Sequence, residues 1–248
     1  MSNVNVFNGC KFTVESTNEE FHTFDDWGLY ITNTNYIGNP EQYTNYVEVP
    51  GRNGRLDMSE ALTGRPTYLG RKLSISLAGA RPKIQWDTVI SFFRNHINGR
   101  VCKITFDNDP SYFWRGRVHV DDFESLLTLG KFTVNVDAEP YKYSIHQTSD
   151  PWLWDPFNFL TDMITYYDAW TISGTKIITI PKGNMPISPT FVVSELVGTL
   201  TLVCDGVTYT LASGSNKFPG ITVNGDTNTD LTFSGTAKVQ IVFRGGSL

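Results

Sequence analysis

The sequence predicts a mainly β protein of two domains, with one helix packed on the first domain and a β-sandwich as the second. Three observations predict this fold class: short alternating apolar runs recur along the chain, one segment has helical periodicity, and charge density changes near residue 148. Residues 1–148 hold 15 Lys/Arg and 17 Asp/Glu, whereas residues 149–248 hold 5 and 8. We therefore place the domain boundary near residue 148, giving domains 1–148 and 149–248.

The overall composition excludes some classes of protein. A net charge of −5 argues against nucleic acid as the main partner, because phosphate binding needs a basic face. Cys10, Cys102 and Cys204 form no CxxC or disulfide framework, which predicts buried thiols in a chain that folds in a reducing cytoplasm. No basic region followed by an apolar run opens the chain and no eighteen apolar residues run together, so we expect neither a signal peptide nor a membrane span.

The first 37 residues predict short strands. Apolar bursts at Val4–Val6, Phe12–Val14 and Leu29–Ile31 are separated by Asn, Gly, Asp and Thr clusters. We interpret Asp25 and Asp26 as the acidic part of a turn that leads into the third burst.

The segment from Val47 to Leu77 predicts a long loop between two strands. Pro50 stops the first strand because proline has no N–H for a ladder, and the second strand begins again at Leu73. The loop carries four glycines and four arginines, namely Gly51, Gly54, Gly64, Gly70, Arg52, Arg55, Arg65 and Arg71. Long loops in compact domains are usually functional or disordered, and we interpret this one as an arm that reaches a partner.

Two other interpretations of this loop are open. The glycines around Arg52 superficially resemble a phosphate cradle, but the GxxxxGK spacing and a following apolar helix are absent. The arginines could also form a solvated surface or a nucleic-acid grip. Acidic residues Glu48, Asp57 and Glu60 lie among them, which disfavours a basic patch.

One helix is predicted, from Lys83 to Asn98. Pro82 suits a first helical position, and Gly99 suits a left-handed stop. The apolar residues that fall on one stripe and should cover a sheet are Ile84, Val89, Ile90, Phe93 and Ile97. His96, near the C-terminal end, has no second histidine at ligand spacing, so we do not predict a metal site there.

Three strands should follow the helix, at Val101–Phe106, Tyr112–Val120 and Lys131–Asp137. In the last of them Phe132, Val134 and Val136 alternate with polar residues, which indicates a strand buried on one face. The first domain then ends near Pro140.

An aromatic segment, residues 149–170, joins the two predicted domains. We predict that its rings pack one domain on the other, and the residues proposed for this packing are Trp152, Trp154, Phe157 and Phe159. The alternative is a platform on which sugar rings stack.

From Lys176 onward the chain reads as strands with no helix between them. Asp205-Gly206 joins Thr199–Cys204 to Val207–Leu211 as a two-residue hairpin turn, and short apolar runs continue to Phe243. This pattern predicts a β-sandwich of about a hundred residues.

The sequence contains no recognisable catalytic constellation. GxSxG and HExxH are absent and the four histidines are isolated, so we predict no catalytic residue, cofactor or metal. The pairs Asp107/Asp109 and Asp121/Asp122 could act as glycosidase carboxylates, but each pair is expected at a turn or strand end. Residues 224–230 have alternate oxygen ligands like part of a calcium loop but lack the closing glutamate, so we interpret them as a polar hairpin turn.

Several stretches together resemble the distal tail proteins of siphophages that infect Gram-positive bacteria. They are Val49–Gly54, Leu62–Gly64 with Tyr68 and Arg71, Trp154–Phe159, Asn184 with Pro186 and Pro189, and the terminal Arg244–Leu248. The resemblance spans nearly the whole chain.

The resemblance implies a split β-barrel with a helix as the ring-forming first domain and a galectin-like or carbohydrate-module-like second domain. It also implies a homohexameric ring in the virion, at the tip of the tail. The partners it implies are the tail tube protein, the tail-associated lysin and a receptor-binding protein, with assembly in the host cytoplasm and without contacts to membrane. The main alternative is a carbohydrate-binding module that contacts cell-wall sugars.

We expect the arm to make the contact between copies in such a ring. The residues predicted for this interface are Arg52, Asn53, Arg55, Leu62, Arg65, Tyr68 and Arg71.

Overall fold

A computed structural model of the chain describes residues 9–32, 36–80, 82–126, 129–150 and 169–248. The chain forms two compact units, residues 1–142 and 143–248. The predicted mainly β class is confirmed, and one helix lies in the described part of the chain. None of the described helices is long and apolar enough to cross a membrane.

The first unit is built on an antiparallel sheet. Its strands are β1 (Cys10–Val14), β2 (Glu20–His22), β3 (Tyr30–Ile31), β4 (Tyr36–Ile37), β7 (Arg71–Ala80), β8 (Val101–Phe106), β9 (Tyr112–Leu126) and β10 (Leu129–Ala138). They run in the order β2-β1-β8-β9-β10-β7-β3, and β4 also pairs with β7. Two further short strands, β5 (Tyr46–Val47) and β6 (Leu56–Asp57), pair only with each other.

The strands of this sheet alternate between buried and exposed residues. In β10, Phe132, Val134 and Val136 are buried as predicted, and each is paired with a buried residue of β7. Strand β9 is longer than predicted because it continues past Val120, so Asp121 and Asp122 lie inside a strand rather than at its end. Among the described residues the sheet does not close into a barrel.

Helix α1 (Lys83–His96) covers the core of the first unit. Pro82 precedes the helix as its cap residue, and Gly99 has the predicted positive φ of 75° just after its end. Trp86, Phe93 and Ile97 are fully buried.

The prediction that Ile84 belongs to the buried stripe is wrong. Its side chain is 82% exposed, and Trp86 provides the buried side chain in this turn. Two residues correspond to about 200° around a helix axis, so Ile84 and Trp86 lie on opposite faces.

Trp86 fits on the sheet because the strand residue beneath it is a glycine. A Cβ atom on Gly130 would lie 2.4 Å from Cε2 of Trp86. Real Cβ atoms do not approach carbon atoms this closely, so a side chain at residue 130 would displace the indole.

The second unit is a curled antiparallel sheet around its own core. Its strands are β12 (Trp170–Ile180), β13 (Thr190–Cys204), β14 (Val207–Leu211), β15 (Gly214–Lys217) and β16 (Thr229–Val242), in the order β12-β16-β13-β14 with β15 beside β13. The predicted hairpin at Asp205-Gly206 is confirmed, with φ of 50° and 77°, and it pairs Leu200 with Leu211.

The long strands of this unit bend at residues with positive φ. Gly174 of β12 pairs with Gly235 of β16, and their φ angles are 80° and 144°. Next to them, β13 carries Glu195 and Gly198 with φ of 52° and 72°, where its register with β16 shifts. Residues on one face stay buried on both sides of this bend, so the sheet wraps one core in a β-sandwich-like arrangement.

Residues 143–150 belong to the second unit, which begins before the composition change at residue 148. Strand β11 (Lys142–Ser144) and strand β17 (Gly246–Ser247) are the short strands near the two ends of this unit. Ser144 donates its N–H to the carbonyl of Gly245 at 2.8 Å. The hydroxyl of buried Thr148 donates to the carbonyl of Ile241 at 2.9 Å and accepts the N–H of Phe243 at 3.0 Å.

Candidate interaction site

The segment between β4 and β7 extends from the sheet as a two-stranded arm, which we define as residues 39–70. Backbone hydrogen bonds hold its two sides together: Leu69 N–H to Glu41 O at 2.8 Å, Tyr43 N–H to Thr67 O at 2.9 Å and Met58 N–H to Asn45 O at 2.8 Å. Strands β5 and β6 continue this ladder toward the tip. The sequence predicted the arm but not its internal ladder.

Glycines shape the arm as the sequence suggested. Gly51 and Gly54, at its tip, have φ of 81° and 80°. Gly64 has φ of 66° and donates its N–H to Glu60 O at 2.7 Å, which closes a turn. Asp57 accepts hydrogen bonds from the hydroxyl and the backbone N–H of Ser59, and these bonds lower the pKa of its carboxyl group.

No residue of the arm is buried. Nine of the eighteen exposed large hydrophobic side chains in the described part of the chain lie in or just before it: Tyr36, Ile37, Tyr43, Tyr46, Val47, Val49, Met58, Leu62 and Leu69. Leu62 is 100% exposed. Exposed apolar side chains concentrated in one segment are typical of a surface that binds another protein.

Most predicted interface residues lie on the exposed arm. Arg52 and Asn53 are exposed at the tip, and Arg55 places its guanidinium 5.1 Å from the centre of the Tyr46 ring. Arg65 is half-buried, and its carbonyl accepts the Thr63 hydroxyl at 2.7 Å.

The other two predicted residues lie where the arm rejoins the sheet. Tyr68 is half-buried and packs edge-on against Tyr141, with ring centres 6.2 Å apart. Arg71 is the first residue of β7, and its side chain is buried at 7% exposure, with its guanidinium over the ring of Trp114. No contact with a second chain tests these residues, so their interface role stays a prediction.

Sequence reasoning selected the arginines of the arm and missed most of its apolar side chains. Tyr43, Tyr46 and Val47 have strand-like composition, which is equally typical of a buried strand. The signal that could have found them is Pro50 and the surrounding glycines, which leave no regular sheet for these side chains to pack on.

The second unit offers no aromatic platform among its described residues. Its described Trp, Tyr and Phe side chains are buried or half-buried, and Lys176 places its ammonium 4.7 Å from the centre of the Trp170 ring. The predicted packing residues Trp152, Trp154, Phe157 and Phe159 lie outside the described residues.

A polar network around His22 connects two parts of the first unit. His22 Nε2 lies 2.8 Å from Asp107, whose other oxygen accepts the N–H of Gly9, and His22 Nδ1 accepts the N–H of Asp25. This network joins β2 to the turn after β8. No group of three or more His, Cys, Asp or Glu in the described part of the chain could hold a metal ion.

Comparison with known proteins identifies the fold. The crystal structure of Dit from phage SPP1 aligns with 96% of this chain and 99% of its own, with a TM-score of 0.61 and 13% identity. The chain has the fold of SPP1 Dit. That protein is described as a paradigm of the hub of the adsorption apparatus in phages that infect Gram-positive bacteria. Because the alignment covers nearly the whole of both chains, the Dit fold accounts for both units, and the resemblance to distal tail proteins is confirmed at the level of fold.

Weaker alignments come from the baseplate of phage p2 in its activated conformation. Chains from the structures with Sr and with Ca give TM-scores of 0.36 and 0.35 at 11% and 12% identity, and each covers 97% of this chain and 95% and 98% of its own. No family model and no curated protein matches the sequence.

Proposed function

We propose that this protein is a structural hub of a siphophage tail tip, in which copies of the chain join through their arms. The observation that carries the proposal is the Dit fold, shared over 96% of the chain with a phage adsorption hub. In this proposal the protein is not an enzyme. It holds other tail proteins in place through its shape.

The arm supports self-association on physical grounds. An isolated two-stranded hairpin is only marginally stable in water. The exposed Tyr, Val, Leu and Met side chains of this arm do not stabilise it, because none of them is buried against its own unit. Docking the arm on a neighbouring copy would remove that apolar surface from water. A contact from the arm of one copy to a different surface of the next is heterologous, and such contacts form a ring when the rotation closes.

We further propose, as the resemblance to distal tail proteins implies, that the ring is a hexamer, with the first domain, residues 1–148, forming it and the second domain, residues 149–248, facing outward. The partners proposed for it are the tail tube protein, the tail-associated lysin and a receptor-binding protein. It would assemble in the host cytoplasm and function in the virion. The arm lies in the first unit and each unit has its own hydrophobic core, which supports placing the contact between copies in the first domain.

The carbohydrate-binding alternative would need an exposed aromatic surface in the second domain. The described residues supply none. Saturable binding to purified cell wall that is lost in Trp170→Ala would favour this alternative over the hub.

The arm can be tested by replacing residues 52–65 with a short Gly-Ser linker. Because none of these residues is buried, the variant should fold with the circular dichroism and melting temperature of the wild type. Multi-angle light scattering should then find it monomeric under conditions in which the wild type assembles.

A matched pair of point variants separates the arm from general surface apolarity. Leu62→Ser changes a fully exposed residue of the arm, and Ile177→Ser changes a residue of β12 that is 62% exposed. We expect Leu62→Ser to weaken assembly and Ile177→Ser to leave it unchanged. If the assembly survives the linker replacement, the arm is not the contact between copies.

A further inference from the structure

Arg71 is a buried cation that has no counter-ion among the described residues of its chain. Its side chain points to the core face of β7 together with Leu73 and Ile75, and it is 7% exposed. The Nε and Nη2 atoms are buried and have no hydrogen-bond acceptor among the described residues. The contact the guanidinium does make is with the ring of Trp114, whose centre lies 4.7 Å away.

The indole satisfies only part of what a guanidinium requires. An aromatic face attracts the positive charge, but the N–H donors lie in the plane of the guanidinium and point past the ring. Burial without a carboxylate lowers the pKa of Arg71 from its ordinary value. Buried polar groups in native proteins are nearly always hydrogen-bonded, so the two unpaired donors of Arg71 mark a place where the described residues lack an acceptor.

The arm carries carboxylates that complement this cation. Glu41, Glu48 and Glu60 are exposed and form no ion pair within the described part of the chain. None of the three carboxylates pairs with Arg71 of the same chain. The arm of a second copy would bring such a carboxylate to the donors that have no acceptor among the described residues.

The position of Arg71 next to the arm would allow a carboxylate from a neighbouring copy to reach it. It follows Gly70, the last residue of the arm, so any movement of the arm alters the surroundings of the guanidinium.

We propose that Arg71 binds a glutamate carboxylate from the arm of a neighbouring copy, so that this buried ion pair forms only on assembly. The inference rests on the proposed self-association through the arm. It adds the chemistry of the contact. The planar guanidinium of Arg71, which lies over the ring of Trp114, would donate two parallel N–H hydrogen bonds to the carboxylate.

Arg71→Met tests the pair, with Lys72→Met as the control. Lys72 is the next residue of β7, is exposed, and lies on the opposite face of the strand. Replacing a buried, unpaired cation with an apolar side chain of similar length should keep or raise the melting temperature of the isolated chain. Sedimentation over a concentration series should show self-association weakened at least about tenfold in Arg71→Met and unchanged in Lys72→Met.

Arg71→Lys provides a direct test of contact. A carbodiimide joins a lysine amine to a carboxylate that touches it, and should give a covalent dimer in which residue 71 is linked to Glu41, Glu48 or Glu60. The proposal is overturned if Arg71→Met associates like Lys72→Met, if it loses melting temperature together with association, or if residue 71 forms no link between chains. A wild-type chain that never self-associates would instead remove the proposed function, and this inference with it.

Discussion

Arg115 holds Glu15 in a two-pronged ion pair across the sheet of the first unit. Its Nε and Nη2 atoms donate to the two oxygens of Glu15 at 2.7 and 2.8 Å, and Nη1 donates to Glu139. Because Glu15 follows β1 and Glu139 follows β10, one guanidinium in β9 ties together segments that are far apart in sequence. The hydrogen bonds from Arg115 lower the pKa of the Glu15 carboxyl group.

This pair predicts a pH-dependent loss of stability. A carboxyl group with a lowered pKa in the folded state stabilises the protein above its ordinary pKa, and the stabilisation is lost as pH falls through the lowered value. At pH 7 we expect Glu15→Gln to reduce the free energy of unfolding by about 1–2 kcal/mol, since Arg115 is 40% exposed and water screens the pair. Urea denaturation of both proteins should show this difference shrinking as the pH falls below the ordinary pKa of a glutamate, about 4.3. A difference that stays the same at every pH would contradict the assigned cause.

The contact between Trp86 and Gly130 predicts a sharp steric effect. In Gly130→Ala the new methyl group would overlap the indole, and overpacking of this kind destabilises proteins by about 1–3 kcal/mol. The neighbouring Leu129 is 59% exposed, so Leu129→Ala should change the free energy of unfolding by less than about 0.5 kcal/mol. Chemical denaturation of the two variants measures both effects. Equal stability of the variants would show that the helix does not pack on this strand as described.

The two faces of α1 should respond differently to truncation. Phe93 is fully buried with its ring 5.1 Å from that of Phe132, and Phe93→Ala should cost about 3–5 kcal/mol. Ile84 is 82% exposed, and Ile84→Ala should stay within about 0.5 kcal/mol of the wild type. Thermal unfolding of both variants tests the assignment. A large loss of stability in Ile84→Ala would show that Ile84 lies on the buried face, as the sequence predicted.

The cysteines should be inert in the folded protein. All three thiols are free and buried, and burial raises the pKa of Cys102 and of Cys204 to about 11 and that of Cys10 further. A thiol reagent such as a nitrobenzoate disulfide should therefore react slowly with the native chain. In denaturant it should react with three thiols per chain. Rapid reaction of one thiol before unfolding would show that its surroundings are open to solvent.

Sequence patterns succeeded where local chemistry decides the structure. The positive φ of Gly99 after α1, the turn at Asp205-Gly206 and the alternation of Phe132, Val134 and Val136 each depend on residues within a few positions of one another. The buried thiols also follow from composition alone.

Sequence patterns failed where a residue far away in the sequence determines whether a side chain is buried. Trp86 occupies the core because Gly130, on another strand, leaves room for its ring, and nothing near residue 86 shows this. The arm shows the same effect. By residue type Tyr46 and Val47 could belong to a core strand, but they pair only with β6, outside the main sheet, and are exposed. Arg71 was grouped with the arm by its sequence position, while pairing with Ala138 places it in the sheet.

We propose that copies of this chain close into a ring through their arms. Native mass spectrometry of the purified wild-type protein over a concentration series tests it most directly. We predict that one discrete species of hexameric mass replaces the monomer as concentration rises, and that replacement of residues 52–65 abolishes it. A monomer at every concentration, or an open ladder of oligomers with no preferred size, would contradict the claim.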